Sequence, residues 1–169
     1  LSPKIVTYNS TIISCALVIL RLGYELGLVE DFTPYPVEFP FLLENPLKAL
    51  LIPHLFVQYK QIKSYNYILP IIEDCSQYWQ PFKVKDVACY SLYANKLITS
   101  GEGGVIITNR KDIYERAKSY RNLCHSEERF VHNDLGYNFR MSNLNAAVAL
   151  AQLEQIGRFT AIKQQNRDL

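Results

Sequence analysis

The sequence predicts an α/β domain whose sheet is mostly parallel and flanked by helices. Two observations predict it. Strand, helix and strand follow one another from the start of the chain, each with its own apolar period. Further on, the apolar run at 49–55 reads as a buried strand, with Pro53 near its end, and 67–73 as another apolar strand.

In order, residues 4–7 (KIVT) form a first strand, and Asn9 or Ser10 caps the helix after it. Ile13, Ala16, Leu17 and Leu20 recur at i, i+3, i+4 and i+7, which gives that helix one apolar face. Gly23 suits its end, and 24–30 is the next strand. Residues 31–36 carry two prolines and form a loop. Residues 39–47 stay ambiguous, because Pro40 and Pro46 argue against one continuous helix. The strand at 49–55 leads into a polar stretch, 58–66, which reads as a poor helix or a loop. The strand at 67–73 runs into Asp74. Residues 87–93 and 104–108 are two more strands. Ile113, Ala117 and Tyr120 make 111–121 an amphipathic helix, and 123–134 is a polar loop. Ser142 caps a long helix with Leu144, Ala147, Val148 and Ala151 on one face, Leu150 and Leu153 beside it, and Gly157 bending or ending it.

The stretch at 87–109, VACYSLYANKLITSGEGGVIITN, organises the rest. Lys96 stands in a short polar loop between two strands, followed by Gly101-Glu102-Gly103-Gly104, a turn open to backbone conformations that side chains block. A lysine so held is a place for a covalent cofactor. A lone lysine is more often a solvated charge, and GEGG alone is more often a hairpin turn. Asp74, at the end of a buried strand, stands where open α/β sheets bind ligands, although a turn-capping aspartate is common there too.

Three blocks in order are more specific than either feature: IIEDCSQ at 71–77, YSLYANK at 90–96 running on to Gly104, and GYNFRM at 136–141, with Ala146-Ala147 and Gln152-Leu153 behind them. Together they resemble the DegT/DnrJ/EryC1/StrS family of pyridoxal 5′-phosphate (PLP)-dependent sugar-nucleotide aminotransferases, from about Lys4 to the end of the chain. The resemblance implies the large PLP-binding domain of a fold-type I aminotransferase over 1–141, with 142–169 a long helix leading towards a small C-terminal domain. It implies that Lys96 carries the cofactor covalently and, once released, moves a proton between substrate carbon and cofactor carbon. Sister dehydratases resemble a variant with His at this position, so lysine favours transamination. Asp74 then pairs with the pyridine nitrogen, and that opposite charge keeps its carboxylate ionised. Gln77 contacts the ring hydroxyl region, and Ser91 binds the phosphate unless it is a solvent-facing strand serine. Asn138 resembles the asparagine that reaches a neighbouring subunit's phosphate, which implies a homodimer with a shared site; a left-handed turn is its alternative. Arg140 is a candidate for an anionic amino donor or a nucleotide phosphate, with an ion pair or packing role as the equal alternative. His132 reads as an exposed loop residue. The implied reaction moves an amino group, from glutamate, onto a 4-keto-6-deoxy sugar nucleotide.

Composition bounds these readings. At 169 residues, with 49% apolar and 20% charged residues, the chain reads as one globular domain able to bury roughly 70% of its unfolded surface. The net charge of +2 is scattered, with no basic stripe for nucleic acid. The apolar run 12–20 is too short to span a bilayer. Cys15, Cys75, Cys89 and Cys124 lack CxxC spacing and read as buried free thiols of a cytoplasmic protein, and no metal site is expected. Starting on Leu1, almost directly on a strand, the chain reads as a fragment. Three departures from the family pattern keep a rival open, a homologue that folds and dimerises without turnover. Thr11 stands where the family stacks an aromatic ring on PLP, unless Tyr8 takes that place; a Gly-Thr/Ser phosphate segment is absent; and the stretches at 55–71 and 77–86 are short.

Overall fold

In the computed structural model the described residues are 3–30, 47–55, 69–79, 84–128 and 130–167. The chain divides into two compact units, Leu1–Tyr90 and Ser91–Leu169. The readings of 31–36, 39–46 and 58–66 lie outside the described residues, as do Tyr67 and Ile68 of the strand predicted at 67–73.

The first unit is built on β1 (Lys4–Tyr8), α1 (Ile13–Arg21), β2 (Glu25–Val29), β3 (Leu47–Pro53), β4 (Ile71–Asp74) and β5 (Val87–Ser91, whose last residue opens the second unit). Neighbouring strands pair in the order β2-β1-β3-β4-β5, and every pair is parallel. The predicted α/β fold is therefore present. Because β1 lies between β2 and β3, the connections leave it in opposite directions, and such a reversal opens a crevice at the carboxyl ends of the strands. Period-two alternation divides the core between the two faces of the sheet. Ile5, Ala49 and Leu51 pack with Cys15 and Ile19 of α1, and Ile72 lies against them. Val6, Tyr8, Leu50, Ile52 and Ile71 form a second cluster.

Helix α1 differs from its prediction in two ways. Its N-cap is Ile12, without a side-chain cap, because the Asn9 N–H is still in the sheet ladder, donating to Val29 O at 2.9 Å. Its buried face is Cys15 and Ile19, while Ile13, Leu17 and Leu20 of the predicted face are exposed. The sequence ISCALVILR is apolar almost all round, so its period could not say which side meets the sheet. The helix does end as predicted, with Gly23 N donating to Leu20 O and Tyr24 N to Ile19 O.

In the second unit the chain turns back on itself between Leu92 and Gly103, where Leu92 N donates to Gly103 O at 2.9 Å and Ser100 N to Leu92 O at 3.0 Å. It continues as β6 (Gly104–Thr108), α2 (Lys111–Arg121), α3 (Asn143–Leu153) and α4 (Ile156–Arg167). In α2 the predicted stripe of Ile113, Ala117 and Tyr120 is half-buried between exposed neighbours. Ser142 caps α3 as predicted, accepting from Asn145 N at 3.1 Å. The break between α3 and α4 falls at residues 154–155, and Gly157 lies inside the first turn of α4, so it neither bends nor ends the helix. The predicted face of α3 is uncovered, with Leu144 and Val148 exposed.

The stretch read as a loop at 123–134 is fixed by backbone pairing. Ser126 N donates to Val131 O, Asn133 N to Cys124 O, and His125 bridges antiparallel to His132. Beside it Leu123 N donates to Tyr137 O, and the two chain segments cross at Gly136. A β-carbon there would lie 2.3 Å from the Leu123 carbonyl carbon and 2.4 Å from Cys124 N, backbone atoms that cannot turn aside.

Two measurements check this packing. In urea unfolding, Ile19→Ala should cost about 2–4 kcal/mol, while Leu17→Ala on the exposed face costs under about 1 kcal/mol. Gly136→Ala should cost about 3 kcal/mol through backbone overlap. Gly157→Ala, with open space around it, should instead stabilise by up to about 0.5–1 kcal/mol through helix propensity.

Candidate active site

Strand β4 ends in two acids that alternation sends to opposite faces. Glu73 is fully buried and its Oε2 meets His54 Nε2 at 3.0 Å, while Lys85 N donates to Oε1. Asp74 is half-buried at the carboxyl end of the sheet, on the α1 side with Ile72. Its main chain is held on both sides: His54 N donates to Asp74 O at 2.9 Å, and Asp74 stands opposite Cys89 of β5. Its carboxylate is held as well. Oδ1 accepts from Ser76 N at 2.9 Å and from the Ser76 hydroxyl, and Oδ2 accepts from Cys15 Sγ at 3.2 Å. Gln77 is exposed beyond this turn. Tyr8 does not take the ring-stacking place left open by Thr11, because its ring is packed among Val6, Leu50, Ile52 and Ile71.

Sequence reasoning missed Cys15, Ser76, His54 and Glu73. Only the spacing of Ser76 two residues after Asp74, a common turn pattern, could have signalled any of them. His54, Glu73 and Cys75 bring a nitrogen, an oxygen and a sulfur within 4.8 Å of one another, fully buried. Of the four thiols, Cys15, Cys75 and Cys124 are buried as expected, and Cys89 is half-buried. Burial pushes Cys75 up to about 12, with the Glu73 charge adding to it, and pushes Cys15 up to about 11.

In the second unit Lys96 is half-buried, on a turn in which its own N–H donates to Tyr93 O at 3.0 Å. The far side of that turn is fixed by Thr99, whose hydroxyl donates to Leu92 O and accepts from Gly101 N. Asn145 of α3 adds a bond from Nδ2 to Ser100 O at 2.6 Å. Gly103 has φ 138°, where a side chain is strained, and a β-carbon would lie 2.8 Å from the Met141 methyl. Ser91 Oγ accepts from Tyr93 N at 3.3 Å. Asn138 and Arg140 are exposed and in contact, Arg140 Nε donating to Asn138 Oδ1 at 3.0 Å. The Asn138 backbone is not left-handed, which removes the turn alternative; the positive φ values fall on Leu123 and Cys124 across from it. His132 is exposed as expected, and it is also held in place: its Nδ1 is 2.7 Å from Leu123 O, and its ring lies 4.4 Å from that of His125.

The order of these features has counterparts in known proteins. The profile of the DegT/DnrJ/EryC1/StrS aminotransferase family matches residues 4–169. The chain belongs to that family. It is 36% identical over 142 residues to the GDP-perosamine synthase of Escherichia coli, covering 75% of this chain and 38% of that protein. To the GDP-perosamine synthase of Vibrio cholerae it is 32% identical over 135 residues, covering 72% and 37%. Thus the chain spans less than half the length of these curated relatives. Among solved structures, DesV of S. venezuelae superposes with a TM-score of 0.80 at 24% identity, covering 94% of this chain and 47% of that one. A 3-amino-5-hydroxybenzoic acid synthase gives 0.81 at 22% identity, covering 97% and 48%. At these identities the structural likeness shows the fold.

The cofactor that membership implies is PLP. Each unit offers groups of the chemistry this cofactor takes: the first, a carboxylate with both oxygens already anchored; the second, an amine on a backbone-fixed turn and a serine hydroxyl whose own oxygen is aligned by a backbone N–H.

The raised thiols give a pH prediction. Cys15 and Cys75 ionise near 9.0 without the fold and near 11 and 12 within it. Above about pH 9 the unfolded chain releases these protons first, so stability is complete below that pH and falls as pH rises towards 11 and 12. Urea midpoints at pH 8 and pH 10.5 should show the loss, and Cys75→Ala should lose less over the same interval than the parent.

Proposed function

We propose that the protein serves in PLP-dependent transfer of an amino group, from glutamate, onto a nucleotide-linked 4-keto-6-deoxy sugar in perosamine-type amino-sugar synthesis. The observation that carries this reading is the 36% and 32% identity with two GDP-perosamine synthases. The geometry of the individual side chains supports it.

When bound, PLP supplies an electron-accepting ring that stabilises negative charge developing on the substrate carbon. Asp74 receives the ring nitrogen and keeps it protonated. Its carboxylate is pinned through Ser76 and Cys15, so little reorganisation accompanies binding. Lys96 would hold the cofactor through Nζ, and that amine, once free, would serve as the base that moves the proton at the substrate carbon. With its side chain half-buried on a hydrogen-bonded turn, it has a short reach and a fixed origin. Ser91 Oγ already accepts from Tyr93 N, which leaves its O–H to donate to a phosphate oxygen. Asn138 is oriented in the same sense: its Oδ1 receives Arg140 Nε, which turns its NH₂ outward as a donor. In this reading the exposed Asn138 serves the phosphate of a second copy, in a homodimer, and Arg140 orients it while offering its remaining N–H groups to an anionic substrate.

A visible absorption spectrum with added PLP tests the reading. The parent should develop a band that borohydride fixes, with the mass increment on the peptide containing Lys96, and Lys96→Ala should show neither. A parent without the band would overturn it and favour the non-catalytic homologue. Where the band forms, amino transfer from glutamate to keto-sugar nucleotides decides the substrate.

A further inference from the structure

One contact at the site belongs to an element that no motif marks. Helix α1 lies over the sheet with Ile19 almost fully buried, and one turn before it Cys15 faces the same way. Both pack with Ile5, Ala49 and Leu51, and Ile72 of β4 lies against that cluster. The next residue of β4 on this face is Asp74, two positions along. The helix therefore sets Cys15 beside the carboxylate, with Sγ 3.2 Å from Oδ2. The other oxygen is taken by Ser76.

We propose that Cys15 is a positioning residue for Asp74, its thiol fixing Oδ2 as Ser76 fixes Oδ1, so that the carboxylate meets the cofactor's ring nitrogen in one orientation. This rests on the assignment of Asp74 to the ring nitrogen under the proposed function. The thiol has one hydrogen to give, and a charged acceptor strengthens an otherwise weak S–H···O hydrogen bond. Burial pushes the Cys15 thiol up to about 11, the Asp74 carboxylate adding to this and the Thr11 hydroxyl opposing it. The sulfur therefore stays protonated, and stays a donor, across the neutral range. Each carboxylate oxygen accepts from more than one direction, so Oδ2 keeps a lone pair for the ring.

The test compares PLP with its 1-deaza analogue, which has C–H in place of the ring nitrogen, on the full chain. With PLP, Cys15→Ala should bind about three- to tenfold more weakly than the parent and shift the visible band, an effect on the scale of one ordinary hydrogen bond. Cys15→Ser, which keeps a donor, should restore both. With the deaza analogue the three proteins should bind alike. Cys15→Ala equal to the parent with PLP, or weakened equally for both ligands, overturns the proposal, the second result showing a merely structural cysteine. A cofactor-free arm follows the infrared S–H band that disappears in Cys15→Ala. Asp74→Asn should move it to higher wavenumber, and an unmoved band overturns the contact. A parent that takes up no PLP overturns the assignment of Asp74, and the infrared arm then decides the thiol–carboxylate bond alone.

Discussion

The first unit depends on the register of β4, and a buried pair holds that register. Glu73 meets His54 where both are closed off from water, and Lys85 N binds the second carboxylate oxygen. A buried carboxylate with a missing partner is costly, so few other alignments of β3 and β4 are tolerable. Because side chains alternate, fixing Glu73 inward on one face fixes Asp74 on the other. A slip of one residue would put Asp74 in the core and expose Glu73. Of two adjacent acids with the same chemistry, one secures the fold and the other stands half-buried at the carboxyl end of the sheet.

The second unit reaches a comparable end through its backbone. Around Lys96 the turn is closed by main-chain bonds at Leu92, Ser100 and Gly103 and by Thr99, so the lysine sits on a rigid base. Around Asn138 the chain crosses itself at Gly136, where no β-carbon fits, and the strain is taken by left-handed Leu123 and Cys124. In both places an exposed or half-buried polar side chain stands on a backbone that has few alternatives. That combination is what positioning a reacting group requires.

Within each unit, polar side chains are also held in place by the chain's own hydrogen bonds. Asp74 is an acceptor with both oxygens aimed, and Ser91 and Asn138 each have their own acceptor filled. Groups already oriented need not reorganise when charge appears beside them, and this is the main electrostatic advantage a protein has over water.

By itself the sequence determined the α/β class, because apolar runs of strand length alternating with helical periods leave few other folds. It also determined α2, the Ser142 cap and the order of the three blocks with Asp74, Lys96 and Asn138, since local pattern carries each of these. Helix α1 was legible as a helix but not in its orientation: an almost wholly apolar surface has no preferred side until a sheet lies beneath it, and the sheet selected Cys15 and Ile19 over Ile13 and Leu17. The pairing of 123–134 was hidden because its partners are backbone groups, which every sequence possesses. The roles of His54, Glu73 and Cys15 were hidden for a related reason. Each depends on a residue 19 or 59 positions away, and only the tertiary structure, by pairing β3 with β4 and packing α1 on the sheet, brings those partners into reach.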